Sequence, residues 1–339
     1  MNKLINGSVL LGGNKKFDVF GFLYRYGTII VTILAIVYFS VSIEHWFTFG
    51  NVTNIFRSVS IVCLIALAMT MSLTVDGFDL STAATASFAA VIAAKIMIIW
   101  QLHPMLAVLL PIAVGCMIGL VNSFLIIKLG ISDMLATLSM MFVITGVSIT
   151  FQQGSAIYNY MPMLEGGVAP GLMSEGFKAI GQKELFEIPI PVFIMLAIAI
   201  LVHVFLNWTK YGRFLYMTGG NVEAARLSGI PTSKYRTLAY VLSGAIAALA
   251  GVVLCARLGS GEVDSAGPYL MDAVAAAYIG FSVLGAGKPN AFGTLLGALL
   301  VGILMNGLVM MSFPYYSQNI VKGVVLILGL GLTYYKKKG

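Results

Sequence analysis

Long apolar runs follow one another along almost the whole chain, and short groups of Gly, Pro and charged residues separate them. A helix needs about 20 mostly apolar residues to cross the hydrocarbon core of a membrane. Division at these breaks predicts an all-α integral membrane protein of about ten transmembrane helices that forms one domain over residues 1–339. The predicted spans are Gly27–Ile43, Val52–Val75, Leu80–Trp100, Met105–Leu129, Met134–Phe151, Ile190–Trp208, Thr237–Leu258, Asp272–Leu284, Ala291–Met311 and Gln318–Tyr335.

The composition agrees with a chain that is surrounded by lipid. Hydrophobic residues make up 59% of the 339 positions and charged residues 10%, whereas soluble domains contain roughly 45–50% apolar and 25% charged residues. A soluble domain of this size could not cover its surface with so few charges. Cys63, Cys116 and Cys255 each lie alone in an apolar run, so they predict neither a disulfide framework nor a metal site.

The basic residues predict how the chain is oriented in the membrane. The net charge of +7 comes from Lys and Arg that cluster at the ends of apolar runs, which indicates orientation rather than a nucleic-acid surface. Residues 1–26 carry four basic side chains, and no cleavage site follows the first span, so we predict an uncleaved cytoplasmic segment. An even number of crossings then places the C-terminus in the cytoplasm as well, and 14 of the 20 basic residues fall on that side.

Two connecting segments are too long to be simple turns. Residues 152–189 lie on the predicted outer side and contain four glutamates, whereas residues 209–236 lie on the cytoplasmic side and are basic. Connections of this length usually carry function or are disordered.

The spans also suggest an internal repeat of Val52–Phe151 and Thr237–Tyr335. Five crossings separate the two copies, so they would start on opposite sides of the membrane, and inverted repeats of this kind are typical of transporters. Asp79 and Asp272 stand at the start of the second helix of their respective copies. We predict that both acids cap helix N-termini, where a carboxylate accepts hydrogen bonds from free backbone N–H groups.

Groups that perform catalysis or bind metal do not converge in this sequence. His45, His103 and His203 are scattered, with no carboxylate or Cys at ligand spacing. Charged residues fall in loops or near span ends, whereas ion-coupled carriers commonly keep a charge at membrane depth. The sequence therefore predicts no catalytic residue, no metal site and no cofactor in this chain, and indicates a transporter that draws its energy from another subunit. The alternatives are an ion-coupled secondary carrier and a membrane enzyme that acts on lipid-linked substrates.

The basic cytoplasmic segment contains a short predicted helix. Gly220 and Asn221 precede the helix-forming run Val222–Leu227, and Gly229 follows it as a stop signal. Such an exposed amphipathic helix could lodge in a groove on a partner protein. It could equally lie on the lipid headgroups, and the spacing alone does not separate the two.

This cytoplasmic segment, Arg213–Ile230, resembles the signature of the ribose-type permeases of ATP-binding-cassette sugar importers, which are related to branched-chain amino acid permeases. Further similar segments occur in the same order, and several collinear motifs are more specific than one. They are Gly77–Ser81, which is similar to the family's Gly-Ile-Asp-Leu-Ser stretch, Met134–Met141, which is similar to its Ala-Thr-Leu helix, Met271–Ala276 and Gly293–Ala298. Together they cover most of the chain from about Thr53 onward.

The resemblance implies a set of partners in the bacterial plasma membrane. The permease would form a dimer with a second copy or a paralogue, and an extracytoplasmic solute-binding protein would deliver the solute. ATPase subunits, which bind the ATP, would dock on the cytoplasmic segment. By the same resemblance, the ATPase-coupling residues are Gly220, Asn221, Glu223, Ala224, Ala225, Arg226 and Gly229.

The resemblance also implies a solute that is small, neutral and polar, most simply a monosaccharide or a sugar-like molecule, carried by ATP-driven alternating access. Departures from the family pattern at Thr82-Ala83, at Gly280–Leu284 and at Pro289-Asn290 keep nucleosides and branched-chain amino acids as alternatives. A neutral solute needs hydrogen-bonding groups along its path, although polar side chains inside membranes more often join neighbouring helices. The path candidates are Asn122, Thr137, Ser139, Ser282 and Asn306.

Overall fold

The computed structural model describes residues 19–163, 166–283, 287–314, 316–324 and 327. Most of the predicted N-terminal segment, residues 284–286 and the end of the last predicted span lie outside this part. The helices are α1 (Val19–Ser42), α2 (Phe49–Leu73), α3 (Thr82–Ile98), α4 (Leu106–Ile127), α5 (Asp133–Phe151), α6 (Glu175–Gln182), α7 (Ile190–Trp208), α8 (Lys210–Gly220), α9 (Val222–Leu227), α10 (Thr232–Leu258), α11 (Leu270–Ser282) and α12 (Ala291–Met310), and residues 316–324 are also helical.

Within the described ranges, four two-residue strands form two antiparallel pairs. β1 (Ile157–Tyr158) pairs with β4 (Ser260–Gly261), and β2 (Glu184–Leu185) pairs with β3 (Ile188–Pro189). The first pair joins the segment after α5 to the segment after α10. The second is a hairpin that leads directly into α7.

The helices follow the apolar runs of the sequence. α7 has the bounds of its predicted span, because proline at the first helical positions presets the helix start. In the part of the chain that the structure describes, six helices are long and apolar enough to cross a membrane: α2, α4, α5, α7, α10 and α12. The chain is therefore mostly helical and passes the membrane several times. The full set of ten spans, which adds shorter helices such as α3, stays a prediction.

Helix α3 lies at the centre of the bundle. Nearly all of its residues are buried, and it packs against α10, α4 and α5. Its Ala, Thr and Ser side chains are small enough to let neighbouring backbones approach. At Gly251 of α10 the approach is so close that a Cβ would overlap the Ala86 carbonyl oxygen of α3.

Helices α4 and α10 touch backbone to backbone. Gly115 in α4 faces Gly244 in α10, and a Cβ on either residue would overlap the carbonyl oxygen of the other. One turn further along, Gly119 meets the Tyr240 carbonyl in the same way. Dispersion contacts between closely packed helices stabilise them in lipid, where the hydrophobic effect contributes little.

The segment 152–189, which the sequence presented as a long loop, carries secondary structure. α6 begins after Ser174, whose hydroxyl accepts a hydrogen bond from the Phe177 N–H at 3.3 Å. Phe177 is buried, and Gly181 lies against the backbone at Arg257, near the end of α10. Helix α6 therefore packs against the transmembrane bundle along one face.

Candidate coupling surface and polar interior

Hydrogen bonds hold the short helix α9 at both ends. At its start, the Asn221 side-chain oxygen accepts the Ala224 N–H at 2.9 Å. At its end, Gly229 has a φ of 79°, and its N–H donates to the Arg226 carbonyl at 3.0 Å, while the next N–H donates to the Ala225 carbonyl at 3.0 Å. This pair of bonds is a Schellman motif, which requires a left-handed residue and so favours glycine.

One side of α9 is open to its surroundings. Glu223 and Arg226 form an ion pair at 2.8 Å, and each keeps 68% of its side-chain surface exposed. Leu227 is 84% exposed, whereas Ala225 is 3% exposed and anchors the helix against the rest of the chain. Ala224 is exposed as well. An apolar centre beside charged side chains is the arrangement that protein interfaces use.

Helix α8 connects α9 to two turns of the membrane bundle. Gly219 lies against the Thr74 carbonyl, in the turn between α2 and α3, with no room for a Cβ. The Tyr216 hydroxyl donates to the Pro289 carbonyl at 2.7 Å, in the turn between α11 and α12, and the Lys288 ammonium lies 4.2 Å from the centre of the Tyr216 ring. Burial raises the pKa of Tyr216 to about 12.

A charged cluster fixes the turn between α2 and α3 against α5 and α10. Asp133 accepts two hydrogen bonds from Arg236, at 2.8 and 3.0 Å, and a third from the Tyr240 hydroxyl. Gly77 of the turn lies against this cluster, and a Cβ there would crowd the Tyr240 hydroxyl and the Asp133 carboxylate. Both Arg236 bonds come from one nitrogen, Nη2, and are charge-assisted, so they join the start of α5 to the second turn of α10.

A second polar network is completely buried behind the first. One oxygen of Asp79 accepts hydrogen bonds from the Ser81 N–H and hydroxyl, at 3.0 and 2.6 Å, and the other accepts from the Ser243 hydroxyl at 2.8 Å. Asn122 donates to the Ser81 hydroxyl at 2.8 Å. The network joins the turn before α3 to α4 and α10, and a buried polar group of this kind is stable only when it is hydrogen-bonded.

The two predicted capping acids make long-range contacts. Asp79 does bind the N–H of Ser81, just before α3, but its second oxygen reaches Ser243 in α10. The prediction is wrong for Asp272, since α11 has no side-chain cap and the carboxylate pairs with Lys322 at 3.0 Å. Because α11 begins at Leu270, the acid lies within the first helical turn rather than in front of it.

Two of the predicted path residues join elements of the interior. The Thr137 hydroxyl lies 2.8 and 3.0 Å from the carbonyl oxygens of Asp133 and Phe78, which share its single hydrogen as acceptors, and it accepts the Leu80 N–H at 3.1 Å. It therefore holds the α2–α3 turn on α5. Asn122 belongs to the Asp79 network, and its side-chain oxygen has no partner among the described residues.

Of the other three path candidates, Asn306 and Ser139 make no hydrogen bond to these two residues. Asn306 of α12 exchanges two hydrogen bonds with Asn51 of α2, at 2.9 and 3.1 Å. Ser139 is exposed on α5, and the side chain of Ser282 lies outside the described part of the chain. The four path residues whose side chains are described, Asn122, Thr137, Ser139 and Asn306, do not form one hydrogen-bonded group.

Several site residues escaped the sequence prediction. Asp133 gave a usable signal, because it is a lone acid at the start of an apolar span on the side that carries most of the basic residues. Ser243 gave none, since it lies 164 positions from Asp79 and looks like any small residue in a membrane helix. Among the described residues, no group of three or more His, Cys, Asp or Glu is placed to hold a metal ion.

Known proteins match this chain over most of its length. The sequence model of the family described as "Branched-chain amino acid transport system / permease component" matches residues 51–330. The ribose import permease protein RbsC of Escherichia coli strain K12 is 32% identical over 316 residues, which cover 93% of this chain and 95% of that protein. RbsC of Bacillus subtilis strain 168 is 32% identical over 281 residues, or 83% of each chain. The L-arabinose transport system permease protein AraH of Escherichia coli strain K12 is 28% identical over 332 residues, or 96% of each chain.

No solved structure gives a significant match to the chain. The family match nevertheless covers well over half of it, and the ribose permease is similar over almost its whole length. These matches agree with the six long apolar helices. The chain is a multi-pass permease of the bacterial inner membrane and belongs to the family of permease components of branched-chain amino acid transport systems.

Proposed function

We propose that this chain is the transmembrane permease subunit of an ATP-binding-cassette importer for a monosaccharide or a sugar-like neutral solute. The names of the ribose and arabinose permeases support the solute class. The observation that carries the importer assignment is the cytoplasmic helix α9, which is capped at both ends, exposed on one side and joined through α8 to two turns of the bundle. The chain is not an enzyme, and a separate ATPase subunit binds the ATP.

The proposed topology has ten transmembrane helices, with residues 1–26 and the C-terminus in the cytoplasm. Residues 152–189 are then extracytoplasmic, and residues 209–236 form the cytoplasmic coupling segment. The order of helices supports the inverted repeat of Val52–Phe151 and Thr237–Tyr335, because α3 and α11 are both short and both begin near a buried acid. The cytoplasmic excess of basic residues supports the orientation.

The ATPase subunits dock on the surface of α9 in this proposal. Glu223, Ala224 and Arg226 are exposed and meet the partner directly, with Leu227 beside them. Ala225 is buried, so it packs α9 against the rest of the chain and does not meet the partner. The remaining predicted coupling residues, Gly220, Asn221 and Gly229, shape the two ends of the helix.

Movement of the ATPases reaches the membrane helices through rigid contacts. A displacement of α9 is transmitted to α8. Helix α8 in turn contacts the α2–α3 turn at Gly219 and the α11–α12 turn at Tyr216. The α2–α3 turn is bound in turn to α4 and α10 through Asp79. Tightly packed elements shift between discrete arrangements rather than deform, which suits alternating access.

The solute path belongs to an assembly larger than this chain. A second permease copy or a paralogue completes the membrane part, and an extracytoplasmic solute-binding protein delivers the solute at the face that carries α6. Asn122, Thr137, Ser139, Ser282 and Asn306 remain the proposed polar contacts along the path.

A permease for branched-chain amino acids or nucleosides is the second candidate, since the family description names the former. An ion-coupled secondary carrier is the least supported, because α9 and α8 would then serve no purpose that the geometry explains. These candidates differ in solute and in energy source, so one assay separates them.

The test is uptake by proteoliposomes that hold this chain with the ATPase and the solute-binding protein of its own organism. We expect ATP-dependent accumulation of one labelled sugar among D-ribose, L-arabinose and D-allose. Exclusive uptake of L-leucine or uridine would favour the second candidate. Accumulation by this chain alone under a proton or sodium gradient would refute the importer.

A further inference from the structure

Helix α8 starts beside the end of α7 instead of leading away from it. Gly212 lies against the carbonyl oxygens of Phe205 and Leu206, with no room for a Cβ, and the Tyr211 ring stacks on the Phe205 ring with 6.4 Å between their centroids. The first turn of α8 therefore lies next to the last turn of α7. Because α7 is one of the long apolar helices, the two turns meet where the chain leaves the hydrocarbon core.

The exposed side chains of α7 show which side of the bundle this junction occupies. Leu196, Ile200 and Leu201 are exposed along the helix, as expected for residues that face lipid tails. Trp208 stands seven positions after Leu201, on the same face of the helix, and is 75% exposed. Trp and Tyr are enriched at the level of the lipid headgroups. Trp208 and the half-exposed Tyr211 therefore belong to the lipid-facing edge of the bundle, at headgroup depth.

Two cations without an acidic partner lie at the same place. Lys210 and Arg213 are both exposed, and their spacing of three residues on one helix puts them on the same face. Neither forms a salt bridge with any described residue, and residues 188–222 contain no Asp or Glu. The Lys210 ammonium lies 5.3 Å from the centre of the Tyr211 ring. Two free cations beside exposed aromatic rings complement the phosphate of a lipid headgroup.

The course of α8 separates these cations from the surface proposed for the ATPase. The helix has 11 residues, which span about 16 Å at 1.5 Å per residue, and α9 follows only at its far end. Between the two ends, α8 touches the α2–α3 turn at Gly219 and the α11–α12 turn at Tyr216. It therefore lies across one face of the bundle, with its first turn at the lipid-facing edge and its last turn beside α9.

We infer that Trp208, Lys210, Tyr211 and Arg213, which we name the α7–α8 corner, bind the headgroup phosphate of an anionic phospholipid. The inference rests on the proposed function, whose topology places residues 209–236 in the cytoplasm, and the cytoplasmic leaflet is the one that carries anionic lipids. A lipid bound at the corner holds the start of α8 at the membrane surface. It thereby sets the height at which α9 meets the ATPase.

The test uses the fluorescence of Trp208 as its reporter. The chain has three Trp residues, so Trp46→Phe combined with Trp100→Phe gives a parent in which Trp208 is the only one. The parent is placed in phosphatidylcholine nanodiscs that contain phosphatidylglycerol. Quenching by brominated phosphatidylglycerol, compared with quenching by brominated phosphatidylcholine, gives the preference of the corner for the anionic lipid. We expect phosphatidylglycerol to be preferred, with a contribution of about fivefold from each of the two cations.

Single substitutions in the parent test whether the preference comes from the corner. Lys210→Gln and Arg213→Gln should each lower it about fivefold. Lys128→Gln should leave it unchanged and is the matched control, because Lys128 is an exposed cation directly after α4 with no Trp or Tyr beside it in the sequence. Equal quenching by the two brominated lipids in the parent would overturn the site. So would an equal loss of preference in Lys128→Gln, since the cations would then act only through net charge.

Two measurements keep the test independent of how the variants fold. Each variant is first checked for monodisperse elution. Native mass spectrometry of the wild type, which needs no substitution, should show more bound phosphatidylglycerol than phosphatidylcholine at equal concentrations, and equal binding would overturn the site.

Titration of the purified ATPase separates a lipid site from a protein site. In nanodiscs of phosphatidylcholine alone, Arg213→Gln should bind the ATPase as tightly as the wild type does. Weaker binding there would assign the corner to the ATPase and overturn the lipid site. The quenching assay involves no transport, so its failure leaves the proposed function standing. ATP-independent uptake by the wild type would instead refute the proposed function and leave the measured lipid preference as it is.

Discussion

The two caps of α9 allow a quantitative test of how the ATPase recognises this chain. The helix has six residues, and isolated helices shorter than roughly 12–15 residues are marginal in water, so its order depends on its caps. Asn221→Ala removes the hydrogen bond to the Ala224 N–H, at a cost of about 1 kcal/mol. Gly229→Ala places a side chain at a φ of 79°, at a cost of about 1 kcal/mol or more.

Together the two substitutions should disfavour the ordered helix by about 2 kcal/mol, which corresponds to about 30-fold in an equilibrium constant. If the ATPase binds only the ordered helix, its affinity for the double variant should fall by up to that factor. The assay is titration of the purified ATPase onto the permease in nanodiscs. Gly50→Ala is the matched control, because Gly50 lies in the first turn of α2, where an added methyl group would have no described atom within 4 Å.

Each single variant should lose about 5-fold in affinity, and the losses should multiply in the double variant, since the caps act on opposite ends. The double variant should remain folded in the membrane, because no transmembrane contact is changed. Affinity within twofold of the wild type in the double variant would refute the view that an ordered α9 is the docking element.

Three further variants probe the other contacts. Glu223→Arg breaks the ion pair with Arg226 and reverses the charge at the docking surface, so ATP-driven uptake should be lost while the protein stays folded by size-exclusion chromatography. Tyr216→Phe removes the hydrogen bond to Pro289, worth about 1 kcal/mol, and should lower the solute transported per ATP hydrolysed without abolishing ATPase docking. Asn306→Leu removes both hydrogen bonds to Asn51, whose side chain keeps only its bond to the Trp46 carbonyl, and should lower the thermal midpoint in detergent by a few degrees, whereas an unchanged midpoint would show that the amide pair does not stabilise the helices.

The sequence predicted the helices well where its breaks are sharp. α7 has its predicted bounds because prolines mark its start and a polar turn follows Trp208. α9 was predicted because Asn and Gly mark its two ends. The short helix α6 was missed although Ser174 marks its start, because two of its eight residues are glycine and its position depends on burial of Phe177 against other parts of the chain.

The sequence also predicted only part of the candidate site. The coupling segment could be found because its helix is local and its charges are exposed. The interior networks could not, because Asp79 meets Ser243 across 164 positions and Asp133 meets Arg236 across 103. Helix patterns show which residues face a neighbour but not which neighbour it is, so polar partners inside a bundle need the tertiary structure.

The contact of Gly115 with Gly244 limits how this permease can change shape. With no side chain between the two backbones, α4 and α10 can slide or separate only by opening a gap that neither helix can fill. We therefore expect them to move as a single unit when the permease changes conformation. The backbone rearrangement that transport requires would then occur in connections outside that unit, such as the residues between α10 and α11.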